Sequence, residues 1–131
     1  MNTRQFCNSN KISIDSEMVD ENPNMVRDNW QAYHYKARLT FGKRQLTTFF
    51  SMGLAHTNEP DAEDVLDCLA SDAAGIENTR NLEEWCGEYG YDADSRKAEK
   101  TYKLCQKQAK DLKRFLGEEA YKTLLWKTER L

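Results

Sequence analysis

The chain has 131 residues, 39% hydrophobic and 31% charged, with a net charge of −3. That length suits a single domain with a core large enough to need no staples. No apolar run approaches the ~20 residues of a membrane helix, and the start of the chain has no apolar signal-peptide core. A protein of the cytoplasm, away from membranes, is therefore expected.

Residues 1–10 read as a flexible tail and residues 11–131 as one α+β domain. Within "KISIDSEMV", Ile12 and Ile14 alternate with polar neighbours and predict a short strand. "DENPNM" predicts a turn, because a residue before proline avoids the helical region and Asp and Asn form local side-chain bonds. From Trp30 to Met52 the β pattern is clear. Tyr33, Tyr35, Ala37, Leu39 and Phe41 hold the odd positions, and after Gly42-Lys43 the phase inverts to Leu46, Thr48, Phe50 and Met52. A two-residue type II′ turn accounts for the inversion. It predicts the pairs Leu39–Leu46, Ala37–Thr48, Tyr35–Phe50 and Tyr33–Met52, all on one face.

Beyond residue 54 the pattern is helical. Asp61 is the expected N-cap of a helix carrying Val65, Leu66, Leu69 and Ala73, with Gly75 expected to end it. Asn81 and Glu84 have capping-box spacing ahead of Leu82, Trp85, Cys86 and Tyr89, and Gly90 sits where a C′ glycine belongs. Asp94 or Ser95 opens a long helix. Its apolar seam Ala98, Tyr102, Cys105, Ala109, Leu112 and Leu116 recurs at intervals of 4, 3, 4, 3, 4 until Gly117. A last helix is expected over 118–126. The layout is an antiparallel hairpin of two or three strands packed on a C-terminal half of four helices, one of them long and amphipathic.

Charge is unevenly spread. Residues 57–94 carry twelve acids and one base, and residues 95–114 carry eight bases and two acids. Arg96, Lys100, Lys103, Lys107, Lys110 and Arg114 repeat the seam's spacing, each two positions ahead of a seam residue. Two positions turn about 200° around a helix, so this basic stripe faces away from the seam. It reads as a solvated face, as a track for phosphates of nucleic acid, or as a protein-recognition surface. The acidic block includes Asp61, Glu63, Asp64, Asp67, Glu84 and Glu88. It could imitate a phosphate backbone, although acids also gather near helix N-termini for the dipole's sake.

Catalytic and metal chemistry find little support. The cysteines Cys7, Cys68, Cys86 and Cys105 form no C-x-x-C. Three of them, Cys68, Cys86 and Cys105, fall on apolar helix faces as small hydrophobes would. "YDADS" opens like a calcium loop but lacks the glycine and closing glutamate. His34 and His56 have no partner at catalytic spacing. Trp30, Trp85 and Trp126 are assigned to the core or its edge. No catalytic residue, metal ligand or cofactor is expected. The helical seam serves a monomer internally, or pairs with its copy in a homodimer.

"VDENPNM" (residues 19–25), "RQLTTFFSMG" (44–53), "DVLDCLASDA" (64–73), "EEWCGEYGYDADSRKAEKTYKLC" (83–105) and the closing "LLWKTERL" resemble a family of small, mostly uncharacterised proteins of bacteriophages, prophages and other mobile elements. The resemblance covers nearly everything after residue 10 and carries no catalytic residue over. It implies an accessory protein acting in the cytoplasm of a bacterial host. By analogy with other small phage proteins, it implies a non-enzymatic binder of a bacterial or phage protein, as an anti-CRISPR or anti-restriction inhibitor of host defence would be. The alternative is a nucleic-acid-binding accessory protein using the basic stripe.

Overall fold

The computed structural model describes residues 1–25, 31–56 and 58–130. The fold is α+β. A short helix α1 (Thr3–Asn10) leads into three strands, β1 (Ser13–Val19), β2 (Ala32–Phe41) and β3 (Arg44–Gly53). Four helices follow: α2 (Ala62–Glu77), α3 (Leu82–Tyr89), α4 (Arg96–Leu116) and α5 (Glu118–Trp126). The sheet is an antiparallel meander in the order β1-β2-β3.

The hairpin forms as its alternation requires. All four pairs predicted across β2 and β3 are present, with Phe41 opposite Arg44 closing the loop, although Tyr33 at the open end of the hairpin is exposed. Gly42 has φ +60° while Lys43 keeps a negative φ, as a type II′ turn demands. β1 adds Ile14 opposite Leu39 on the same inward face. Trp30, placed by its sequence at the head of the hairpin, lies outside the described residues.

The loose tail expected over residues 1–10 is instead helix α1. Asn2 accepts from the Gln5 amide at 2.9 Å while Gln5 Oε1 accepts from the Asn2 amide at 2.8 Å, a reciprocal capping box. At the other end Lys11 adopts the left-handed conformation at φ 54°, and the amides of Lys11 and Ile12 close onto the carbonyls of Asn8 and Cys7. That is a Schellman closure on a lysine in place of the usual glycine. One face of α1 buries Phe6 and Cys7 against α2, and Thr3 donates to Asp67.

The chain's two ends meet. Asn2 bridges Glu129, and the Glu129 amide donates to the Met1 carbonyl at 2.8 Å. Arg130 Nη1 donates to the last carbonyls of α5, Leu124 at 2.6 Å and Leu125 at 2.9 Å, so a cation caps the negative end of that helix. Arg130→Ala is expected to lower stability by about 1–2 kcal/mol through those orphaned carbonyls, read by urea denaturation.

The main core joins the inner face of the sheet (Ala37, Leu39) to α1, α2, α4 and α5. Phe41 meets Phe115 of α4 edge to face, with ring centroids 6.2 Å apart. A smaller cluster holds Trp85, Cys86, Ala98 and Cys105, with Tyr91 and Tyr102 packed on it. Helix α2 does not stop at Gly75 but runs to Glu77. Gly75 has a different task. A Cβ there would sit 2.8 Å from the Tyr89 hydroxyl, so its bare backbone lets α3 close on α2. Ser95 and Gly117 bound α4 as expected, and the helix is unbroken for 21 residues.

Candidate functional site

Helix α4 orients the candidate site. Its seam residues Ala98, Cys105, Ala109, Leu112 and Leu116 are buried, joined by Phe115, and Tyr102 is partly buried on the Trp85 cluster. The opposite face carries Arg96, Lys100, Lys103, Lys107, Lys110 and Arg114, all exposed. Over 18 residues at 1.5 Å per residue the stripe runs about 27 Å along the surface. The amphipathic pattern therefore settles both which side is inside and where the cations stand.

Two acids interrupt the stripe. Lys103 pairs with Glu99 at 2.8 Å, and its ammonium holds the Glu99 carboxyl below its ordinary pKa. Lys107 reaches Asp111 at 2.7 Å, with Arg114 at 4.0 Å on the other oxygen. These are exposed helical pairs of small energetic weight. Arg96, Lys100 and Lys110 have no ion-pair partner among the described residues.

Beside the stripe, α4 and β3 enclose a groove. One depression of about 330 Å³ is lined by Arg44, Gln45, Thr47, Asp111, Arg114 and Phe115. A second, of about 200 Å³, shares Leu46, Thr47 and Asp111 with it and reaches Phe49, Leu104 and Lys107. The Arg44 guanidinium lies over the Phe41 ring, 5.1 Å from its centroid, at the mouth. No sequence signal announces this groove, since it depends on which strand abuts α4. Only the adjacent positive rim was legible.

The acidic block is dispersed by comparison. Asp61 and Asp64 spend their carboxylates on the capping box that starts α2. Burial and the neighbouring Asp61 raise the Asp64 pKa, against the opposing pull of the Asp61 amide. Glu63 pairs with Arg4 at 3.1 Å, Asp67 accepts from Thr3, and Glu84 meets Arg80 at 2.9 Å. Of the six, Glu88 alone has neither an ion pair nor a hydrogen bond among the described residues. This geometry is helix starting and packing rather than a continuous acidic face.

Other surfaces are less promising. The depression of about 430 Å³ on the outer face of the sheet is lined by Asp15, Glu17, Lys36 and Arg38. Its charges balance as cross-strand pairs, with Arg38 forking onto Asp15 at 3.2 and 3.3 Å and Lys36 opposite Glu17. His34 is engaged with Ser51, Nδ1 to Oγ at 2.7 Å, and His56 is exposed in the loop after β3. Cys7, Cys86 and Cys105 are buried, whereas Cys68, expected inside, reaches the surface. Burial pushes the Cys7 thiol up to about 11 and the Cys105 thiol to about 12. Neither is a ready nucleophile. Trp85 belongs to the core, and Trp126 is half exposed at the end of α5.

Among the described residues no helix is long and apolar enough to cross a membrane. Compared with protein-family models, curated proteins and solved structures, the chain finds no match.

Proposed function

We propose that this chain is a non-enzymatic binding protein of the phage-accessory type, acting in a bacterial cytoplasm. Its basic α4 face and the adjoining groove engage an acidic surface on a bacterial or phage protein, with a host defence complex as the target class. The observation that carries the reading is the concentration of exposed cations on one rigid helix beside a groove. Opposite charges across an interface steer encounter and select register. A rigid, pre-built face also loses little entropy on docking. The family resemblance supports the phage setting.

The test is affinity capture from host lysates with the tagged protein, alongside a Lys100→Glu, Lys103→Glu, Lys110→Glu variant. These side chains are exposed, so the variant is expected to fold normally. A stoichiometric protein partner is expected, with affinity lowered about 10–100-fold by the triple reversal. The even spacing of the six cations favours nucleic acid as the second reading. In that case binding to DNA or RNA would fall about a thousandfold between about 50 and 200 mM salt, as six phosphate contacts predict. No partner of either kind across several hosts would overturn both.

A further inference from the structure

We propose that the crevice between α2, α3 and α4 is a binding site for a small organic cation, specifically an alkylammonium head. The crevice holds about 120 Å³ and is lined by Asp72, Trp85, Tyr89, Tyr91, Thr101 and Cys105. That space accepts a head group of a few heavy atoms and nothing of drug size. Three of its eight lining residues are aromatic. Trp85 stacks on Tyr91 at 4.9 Å with planes 15° apart, and Tyr89 leans on Trp85 at 5.7 Å and 45°. Aromatic walls attract cations through the ring quadrupole, and quaternary or methylated ammonium groups are their usual guests.

Asp72 supplies the charge. It stands on α2 with its carboxylate mostly withdrawn from water, and it has no ion-pair or hydrogen-bond partner among the described residues. Neither lysine nor arginine lines the crevice. A carboxylate desolvated without a cation is an expensive thing to keep in a fold. The surrounding segment adds to the field, since residues 57–94 carry twelve acids against one base.

Tyr89 forms the solvent-facing side of the crevice. It is about half exposed (49%), yet its hydroxyl rests on the bare backbone at Gly75. That close approach needs a glycine inside a helix, where glycine costs about 1 kcal/mol relative to alanine. The helix thus forgoes local stability at the place where the Tyr89 ring packs against it beside the crevice. The site is separate from the α4 stripe and does not depend on the partner proposed for it.

Two sources could present such a head, a free amine or the lysine side chain of a partner protein. The full-length protein would be titrated with methylammonium, tetramethylammonium and a lysine-containing peptide. The indole and backbone amide signals of Trp85 and Cys105 would be followed by NMR, with tert-butanol as the neutral isostere. Saturable shifts confined to the crevice are expected, with a dissociation constant on the order of 1–10 mM for the small cations and none for tert-butanol. Asp72→Asn should weaken binding about tenfold or more, although the same variant is expected to be the more stable protein at neutral pH. Tyr89→Leu, at an exposed position, should weaken it several-fold without unfolding. Tighter binding of the peptide than of methylammonium assigns a partner's lysine, and equal or weaker binding assigns a free amine. Non-saturating shifts, equal response to tert-butanol, or unchanged affinity in Asp72→Asn would overturn the site.

Discussion

Phe6→Ala is expected to remove about 3–5 kcal/mol of folding stability and to lower the thermal midpoint by roughly 10–20 °C. Phe6 is only 1% exposed and sits in the main core with Cys7, Val65, Leu66 and Leu69. Removing the ring leaves a cavity that a helix pinned at both ends cannot collapse to fill. Asn2 and Gln5 hold one end of α1, and the Lys11 closure holds the other. Domains of this size have about 5–15 kcal/mol in total, so the loss takes a large share. Arg4→Ala is the control. Arg4 pairs with Glu63 from a side chain that is 70% exposed, and its removal should cost under about 1 kcal/mol. Equilibrium urea unfolding of both variants measures the contrast. A Phe6→Ala loss as small as that of Arg4→Ala would mean that the N-terminal segment is not part of the folded unit.

That segment is also where reading from sequence failed, for a physical reason. Eight residues give about two helical turns, with only Phe6 and Cys7 apolar, which is too few for a period to show. Asn8, Ser9 and Asn10 are weak helix formers. The start signal was nevertheless present in the Asn2 and Gln5 spacing of the capping box. The tertiary partner, the Phe6-facing side of α2, cannot be read from local pattern at all.

The long elements were legible because their periods repeat often enough to exclude alternatives. In the hairpin the alternation and the Gly42 turn each specify the register, and they agree on the four pairs observed. In α4 the seam and the cations repeat together over 21 residues, so burial of one dictates exposure of the other. Gly75 was misread because glycine most often ends helices, whereas here it serves a contact with Tyr89 from another element. Cys68 was misplaced by a similar limit. Its position on α2 lies at the edge of the apolar face, where a rotation of a few tens of degrees decides burial. The groove between β3 and α4 and the crevice around Asp72 arise from packing between distant segments, and neither has a linear signature.

The second large effect concerns pH. Burial raises the Asp72 carboxyl from 3.8 to about 6. The groups around it are the thiols of Cys68 and Cys105, the tyrosines Tyr89 and Tyr91 and the hydroxyl of Thr101. None of these offers a positive charge. The sign is opposite to that of a salt-bridged acid. Between pH 4 and 6 the folded state keeps a proton that the unfolded chain has released. The contribution of Asp72 to stability therefore falls as pH rises through that window and stays low above it. A shift of this size corresponds to about 2 kcal/mol after discount for partial solvation. Asp72→Asn removes the ionisation while keeping the shape. The variant should match the wild type near pH 4 and exceed it by about 2 kcal/mol at pH 7. Urea midpoints across that range measure the difference, which cancels the titration of every other carboxylate common to both proteins. A difference independent of pH would show that Asp72 ionises in the folded protein as it does in water, and that the crevice does not hold its charge away from solvent.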